Sequence, residues 1–176
     1  RSYVDSGLNF LEVKTKNNHK RTRKKRTTMF DFDPLAPARN IAFDSHDDNF
    51  KEYGSFLREN LWYKPEAMEE AIENRFNRIT LVNNNKTERL TIDTDLCFHN
   101  ILTGNDCSLP ELAIIELKRD GLVPSPILTL LNELRIKPLG FSKYCIGTAL
   151  TNPDIRQNRF KQRLHALEKL AAANNE

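Results

Sequence analysis

The chain has 176 residues, a formal net charge of +3, 39% apolar residues and a mean hydropathy of −0.61. That length fits one domain, or one domain with an appendage, and the composition is lean for a globular core without being that of a disordered chain. No apolar run approaches the roughly 18 residues of a membrane helix, and no secretory signal is expected at the N-terminus.

The three cysteines, Cys97, Cys107 and Cys145, form no C-x-x-C pair. This argues against a disulfide framework or a zinc ribbon and fits a reducing, cytoplasmic compartment. The four histidines are scattered, with no metal-binding spacing. Charge is unevenly distributed. From Lys14 to Arg26 there are eight basic residues and no acidic one, whereas acidic residues dominate from Asp44 to Glu73. The basic pole predicts an anionic partner.

Residues 8–16 alternate, with Leu11 and Val13 on one side and Glu12, Lys14 and Lys16 on the other. After the turn residues Asn17-Asn18-His19, the extended run 20–30 completes a β-hairpin. Residues 31–45, with Pro34 and Pro37, read as loop. Asp44 or Ser45 is placed to cap a helix over 46–60, with Phe50, Tyr53, Phe56, Leu57 and Leu61 on its apolar side. Pro65 suits the start of a second helix ending near Asn74, with Glu66, Glu69 and Glu70 toward its positive end.

Residues 75–82 read as a strand and 83–86 as a turn. The run 87–98 then gives the cleanest alternation in the chain. Leu90, Ile92, Thr94 and Leu96 lie on one face, and Arg89, Thr91, Asp93 and Asp95 on the other. A further strand is expected over 111–118, a turn at Asp120-Gly121, a helix from Ser125-Pro126 to about Leu134, and a short last strand over Phe141–Thr148. Residues 153–172 read as a basic amphipathic helix striped by Phe160, Leu164, Leu167 and Leu170. The sum is an α+β chain of mostly antiparallel strands with helices inserted between them and at the C-terminal end.

Charged residues recur between apolar neighbours in these strands: Glu12 and Lys14, Arg78, Arg89 and Asp93, Glu116 and Lys118, Lys143. E-V-K at 12–14 echoes E-L-K at 116–118. One reading is the solvated face of an antiparallel sheet. The other is a barrel lined with charge, an anion tunnel whose Lys and Arg hold phosphates and whose Glu holds a divalent metal. The run Lys14–Arg26 also fits nonspecific nucleic-acid binding, but no aromatic residue interleaves it for base stacking, which counts against nucleic acid as the partner.

N-F-L-E-V-K-T-K, R-T-R-K-K-R, F-N-R-I-T, R-L-T-I-D-T-D-L, A-I-I-E-L-K-R-D-G and G-F-S-K-Y-C-I-G follow one another in this order. Over about residues 1–148 the chain resembles the VTC domain, the polyphosphate polymerase domain of vacuolar transporter chaperone-like proteins. The resemblance implies an antiparallel β-barrel, a triphosphate tunnel related to the CYTH phosphohydrolases. It implies transfer of the γ-phosphate of ATP to a growing polyphosphate chain with Mn²⁺ or Mg²⁺. By motif, Glu116 is the expected metal ligand, with Lys118 as its basic partner. Lys143, Arg78 and Arg89 are expected to act on the reacting phosphates, and Arg1, Lys14, Lys24, Arg26 and Ser142 to bind the phosphate chain.

Residues 1–150 would then form the tunnel-like domain, with its opening strands missing, and 151–176 a C-terminal helix that packs on the barrel or docks to a membrane or partner. Phe76 stands where the polymerases tend to have Tyr, and Gly140 where some members have Lys. Cys97 and Cys145 read as small buried apolar residues. The rival functions are hydrolysis in the same kind of tunnel, polyphosphate or inositol-phosphate binding without turnover, and nucleic-acid binding.

Overall fold

A computed structural model describes residues 1–19, 21–30, 48–122 and 124–173. The expected loop over 31–45, the cap at Asp44 or Ser45 and the side chain of Phe50 lie outside the described residues. The chain divides into two compact units, Arg1–Glu70 and Ala71–Glu176.

In the first unit, strands β1 (Ser2–Tyr3), β2 (Leu8–Lys16) and β3 (Thr22–Met29) form an antiparallel sheet in that order. The expected hairpin is present, with Glu12 opposite Arg26 and Lys14 opposite Lys24. Val13 and Met29 are buried on one side of this hairpin. Helix α1 (Asp48–Asn60) has Tyr53 and Leu57 buried. Its Tyr53 hydroxyl accepts from the Phe30 N–H at 2.8 Å, which pins the end of β3. The expected helix from Pro65 to Asn74 is instead one 3₁₀ turn, Pro65–Ala67, with Met68 already extended. Of that turn only Pro65 is buried, and a short helix without a packed face is marginal in water.

In the second unit, β5 (Glu88–Asn100) is central. It pairs with β4 (Ile72–Val82) along one edge, and with β6 (Asp106–Leu109) and β7 (Ile114–Arg119) along the other. All pairings are antiparallel. The Asn83 side chain closes the β4–β5 turn, donating to Thr87 Oγ1 at 2.9 Å and accepting from the Glu88 N–H at 3.0 Å. Strand β6 is not among the expected elements, because its four residues are too few to display a period.

A bulge in β5 revises the expected faces. The register shifts between Arg75 and Asn77, and Asp95 opposite this shift has φ +53°. One extra residue reverses the parity of the strand. The face that carries Thr91 and Asp93 therefore continues with Leu96, Phe98 and Asn100, all buried. Charged and apolar halves of one sheet face are joined by this bulge.

Helix α2 (Pro126–Glu133) is capped by Ser125, whose hydroxyl accepts from the Leu128 N–H at 3.1 Å, as expected from Ser-Pro. The segment expected as a last strand, Phe141–Thr148, is instead the start of helix α3 (Lys143–Thr151). Ser142 is its N-cap, accepting from Cys145 N–H at 3.4 Å. Ile146 and Ala149 are buried three residues apart, which is helical spacing; a short apolar run does not by itself separate the two periods.

Helix α3 lies on the apolar half of the sheet face. A Cβ on Gly147 would overlap Phe98 Cδ1 and stand 2.8 Å from Ile72 Cδ1, so only glycine permits this approach. The far end of α3 is tied by Asn100, which donates to Thr151 Oγ1 at 3.0 Å, and by Asn105, which donates to the Thr151 carbonyl at 2.9 Å. Helix α4 (Lys161–Ala173) begins eight residues later than the expected 153. Asn152 accepts from the Asp154 N–H at 3.0 Å, and this Asx turn takes the place of a helix start. Leu164 and Leu167 of the expected stripe are half-buried, whereas Leu170 is exposed. No described helix is long and apolar enough to cross a membrane.

Candidate functional site

Residues opposite one another in a β-ladder project to the same side. The pairing of β4, β5 and β7 therefore sets three rows on one face: Arg78, Asp93 and Ile114; Thr80, Thr91 and Glu116; Val82, Arg89 and Lys118. The reverse face carries Ile79, Leu81, Leu90, Ile92, Ile115 and Leu117. Since α3 covers the neighbouring half of the first face, its N-terminal Lys143 reaches the first row.

Asp93 is the centre of this arrangement and is 2% exposed. Arg78 binds it through two parallel hydrogen bonds, Nε to Oδ1 at 2.6 Å and Nη2 to Oδ2 at 2.7 Å, and Lys143 Nζ also donates to Oδ2. The Phe76 ring lies beside both cations, 5.1 Å from the Arg78 guanidinium and 4.2 Å from Lys143 Nζ. Burial pushes the Asp93 carboxyl up, but the hydrogen bonds and charges of Arg78 and Lys143 outweigh it and hold the group below its ordinary range.

A carboxyl depressed in the folded state contributes stability that is complete above its unfolded pKa, about 3.9, and is lost as the pH falls through the lower folded value. Unfolding free energy is thus expected to be flat with respect to this group from neutral pH down to about 5, and to fall below about 4. Urea melts across that range should show a shallower acid slope in Asp93→Asn. An unchanged slope would mean that Asp93 is not ion-paired in solution.

The remaining expected residues of this face are more open. Glu116 and Lys118 pair with each other at 3.3 Å, both more than half exposed, and Arg89 is exposed. Ser142 caps α3, so its hydroxyl is engaged with the helix backbone. Lys143 reaches the site from a helix terminus rather than from the expected strand. The described residues contain no group of three or more His, Cys, Asp or Glu side chains able to hold a metal. A metal at Glu116 would need most of its ligands from a bound phosphate, an arrangement that Mg²⁺ and Mn²⁺ accept.

The first unit has its own charged face. Glu12 accepts from Lys24 at 2.5 Å, and the Arg1 guanidinium lies 3.8 Å away. Burial raises the Glu12 carboxyl, while the Lys24 hydrogen bond and the Arg1 and Lys24 charges prevail and lower it. Arg26, opposite Glu12, turns instead over the Phe10 ring, 4.8 Å from its centre. Lys14 is exposed on the same face. The expected grouping of Arg1, Lys14, Lys24 and Arg26 is therefore present within this unit.

Two residues were missed as members of a site. Alternation marks Asp93 as a strand carboxylate but not as the partner of Arg78 and Lys143, because Lys143 comes from a helix terminus and not from the expected strand. Phe76 was seen only as a departure from Tyr. Cys97, expected to be buried, is exposed, because the bulge turns it to the reverse face; Cys145 is half-buried.

No curated protein and no solved structure matches the chain. The family model of the VTC domain matches residues 1–152. The chain therefore belongs to the VTC domain family, which ties it to polyphosphate chemistry.

Proposed function

We propose that this chain carries a polyphosphate polymerase site that transfers the γ-phosphate of ATP to the end of a growing polyphosphate chain. The observation that carries this is the inversion of burial around Asp93. On a solvated face, charges stand in water and apolar side chains turn inward. Here Asp93 is buried between Arg78 and Lys143, while Ile79, Leu81 and Ile115 on the reverse face are exposed. Sheltered cations beside the exposed Arg89, Glu116 and Lys118 of the two neighbouring rows fit a ligand of dense negative charge.

Phosphoryl transfer asks for positioning and charge neutralisation and little covalent chemistry from the protein. Lys143, Arg78, Arg89 and Lys118 supply positive charge at the reacting phosphates. Lys14, Lys24, Arg26 and Arg1 hold the chain electrostatically, with Ser142 at the start of α3. Glu116 would hold Mn²⁺ or Mg²⁺, which when bound neutralises charge on the phosphate oxygens. The antiparallel barrel implied by the resemblance belongs to the same proposal. A cytoplasmic setting beside a membrane-associated partner is also part of it.

The test incubates the full-length protein with ATP and Mn²⁺ and resolves products on a gel stained for polyphosphate. A ladder that is lost in Glu116→Ala is expected. Release of phosphate without a ladder would indicate a hydrolase. Tight triphosphate binding with neither product would indicate a sensor.

A further inference from the structure

We propose that Asp93 is a positioning residue of this site, setting where Arg78 and Lys143 stand without itself touching phosphate; this rests on the polyphosphate function proposed above. The carboxylate accepts three charge-assisted hydrogen bonds and is 2% exposed, so a ligand meets its two cations and not the carboxylate itself. The cations come from different elements, β4 and the N-terminus of α3. Asp93 is the group that joins them, and Phe76 packs its ring against both. The Lys143 ammonium carries three N–H donors, of which Asp93 takes one.

Two effects of Asp93 oppose each other. Its negative charge reduces the attraction of the pair for phosphate. Its geometry holds both donors in place, and in reactions that depend on positioning a displacement of about 1 Å costs on the order of 10²-fold in rate. Removing the charge should therefore tighten binding and slow turnover. A residue that only supported the fold would not separate the two in opposite directions.

The experiment compares Asp93→Asn with wild type in the full-length protein. Tripolyphosphate affinity is measured by calorimetry and polyphosphate synthesis from ATP with Mn²⁺ by steady-state kinetics. Tripolyphosphate is expected to bind about threefold tighter or more, with kcat lower by about tenfold or more. Weaker binding, or an unchanged kcat, would overturn the assignment. Failure of the wild type to bind tripolyphosphate would remove the proposed function itself, a distinct result.

Phe76→Leu is the second variant, since it leaves every charge in place. It is expected to lower kcat with KM within about twofold, and a wild-type kcat would show that the ring and carboxylate do not position the cations.

Discussion

Lys143→Ala is expected to lower polyphosphate synthesis by about 10²- to 10³-fold, the loss seen when one preorganised donor to a developing charge is removed. The side chain is 18% exposed and is held by the Asp93 carboxylate and the Phe76 ring, so it meets a ligand already oriented. The effect on stability should be small by comparison, because Arg78 still satisfies Asp93 with both of its hydrogen bonds. Lys143→Arg should restore only part of the activity, since a planar fork does not replace a compact ammonium at this short reach. Initial rates and thermal melts of the same preparations check both parts. Activity within about threefold of wild type would place Lys143 outside the reaction, less than the loss expected for even one such donor.

The second large effect is expected at Gly147, one turn along α3 from Lys143. Even an alanine Cβ would overlap the Phe98 ring and Ile72, and valine adds two branches to the same gap. Overpacking of this kind costs about 1–3 kcal/mol, and the β-branch adds to it within a helix. Gly147→Val should therefore lower the melting temperature by several degrees per kcal/mol, as domains of this size do. Since α3 must lift to relieve the overlap, its first residue, Lys143, should leave Asp93, and triphosphate affinity should fall with stability. A stable Gly147→Val protein with normal affinity would mean that α3 does not sit on Phe98.

The hairpin, the β4–β5 pair, β7 and the Ser125 cap were legible from period and turn chemistry alone, whereas Lys14, Lys24 and Arg26 were singled out by the family resemblance. The misreadings share a physical cause: local pattern was overridden by a tertiary event. The β5 bulge at Asp95 changes which residues share a face, and nothing in an alternating run announces an αL aspartate. The sequence F-S-K-Y-C-I-G-T alternates well enough for a strand. Its helical character depends on the Ser142 cap and on Gly147 meeting Phe98, forty-nine positions earlier in the chain. With Lys143 placed on a strand, its pairing with Asp93 could not be seen. The family motifs, by contrast, single out both Lys143 and Arg78, and the structure brings these two side chains together on Asp93, because motifs carry chemistry independently of the element that bears them.

The most direct measurement is a calorimetric titration of tripolyphosphate into the full-length protein at fixed ionic strength. Wild type, Lys143→Ala and Arg156→Ala are compared; Arg156 is an exposed arginine beyond the opposite end of α3. If the Asp93-centred face holds phosphate, Lys143→Ala should weaken binding by about tenfold or more, about 1.4 kcal/mol, and Arg156→Ala should leave it within about twofold. Equal losses in the two variants would show that tripolyphosphate senses only overall charge, and no binding by the wild type would show that this face is not a phosphate site.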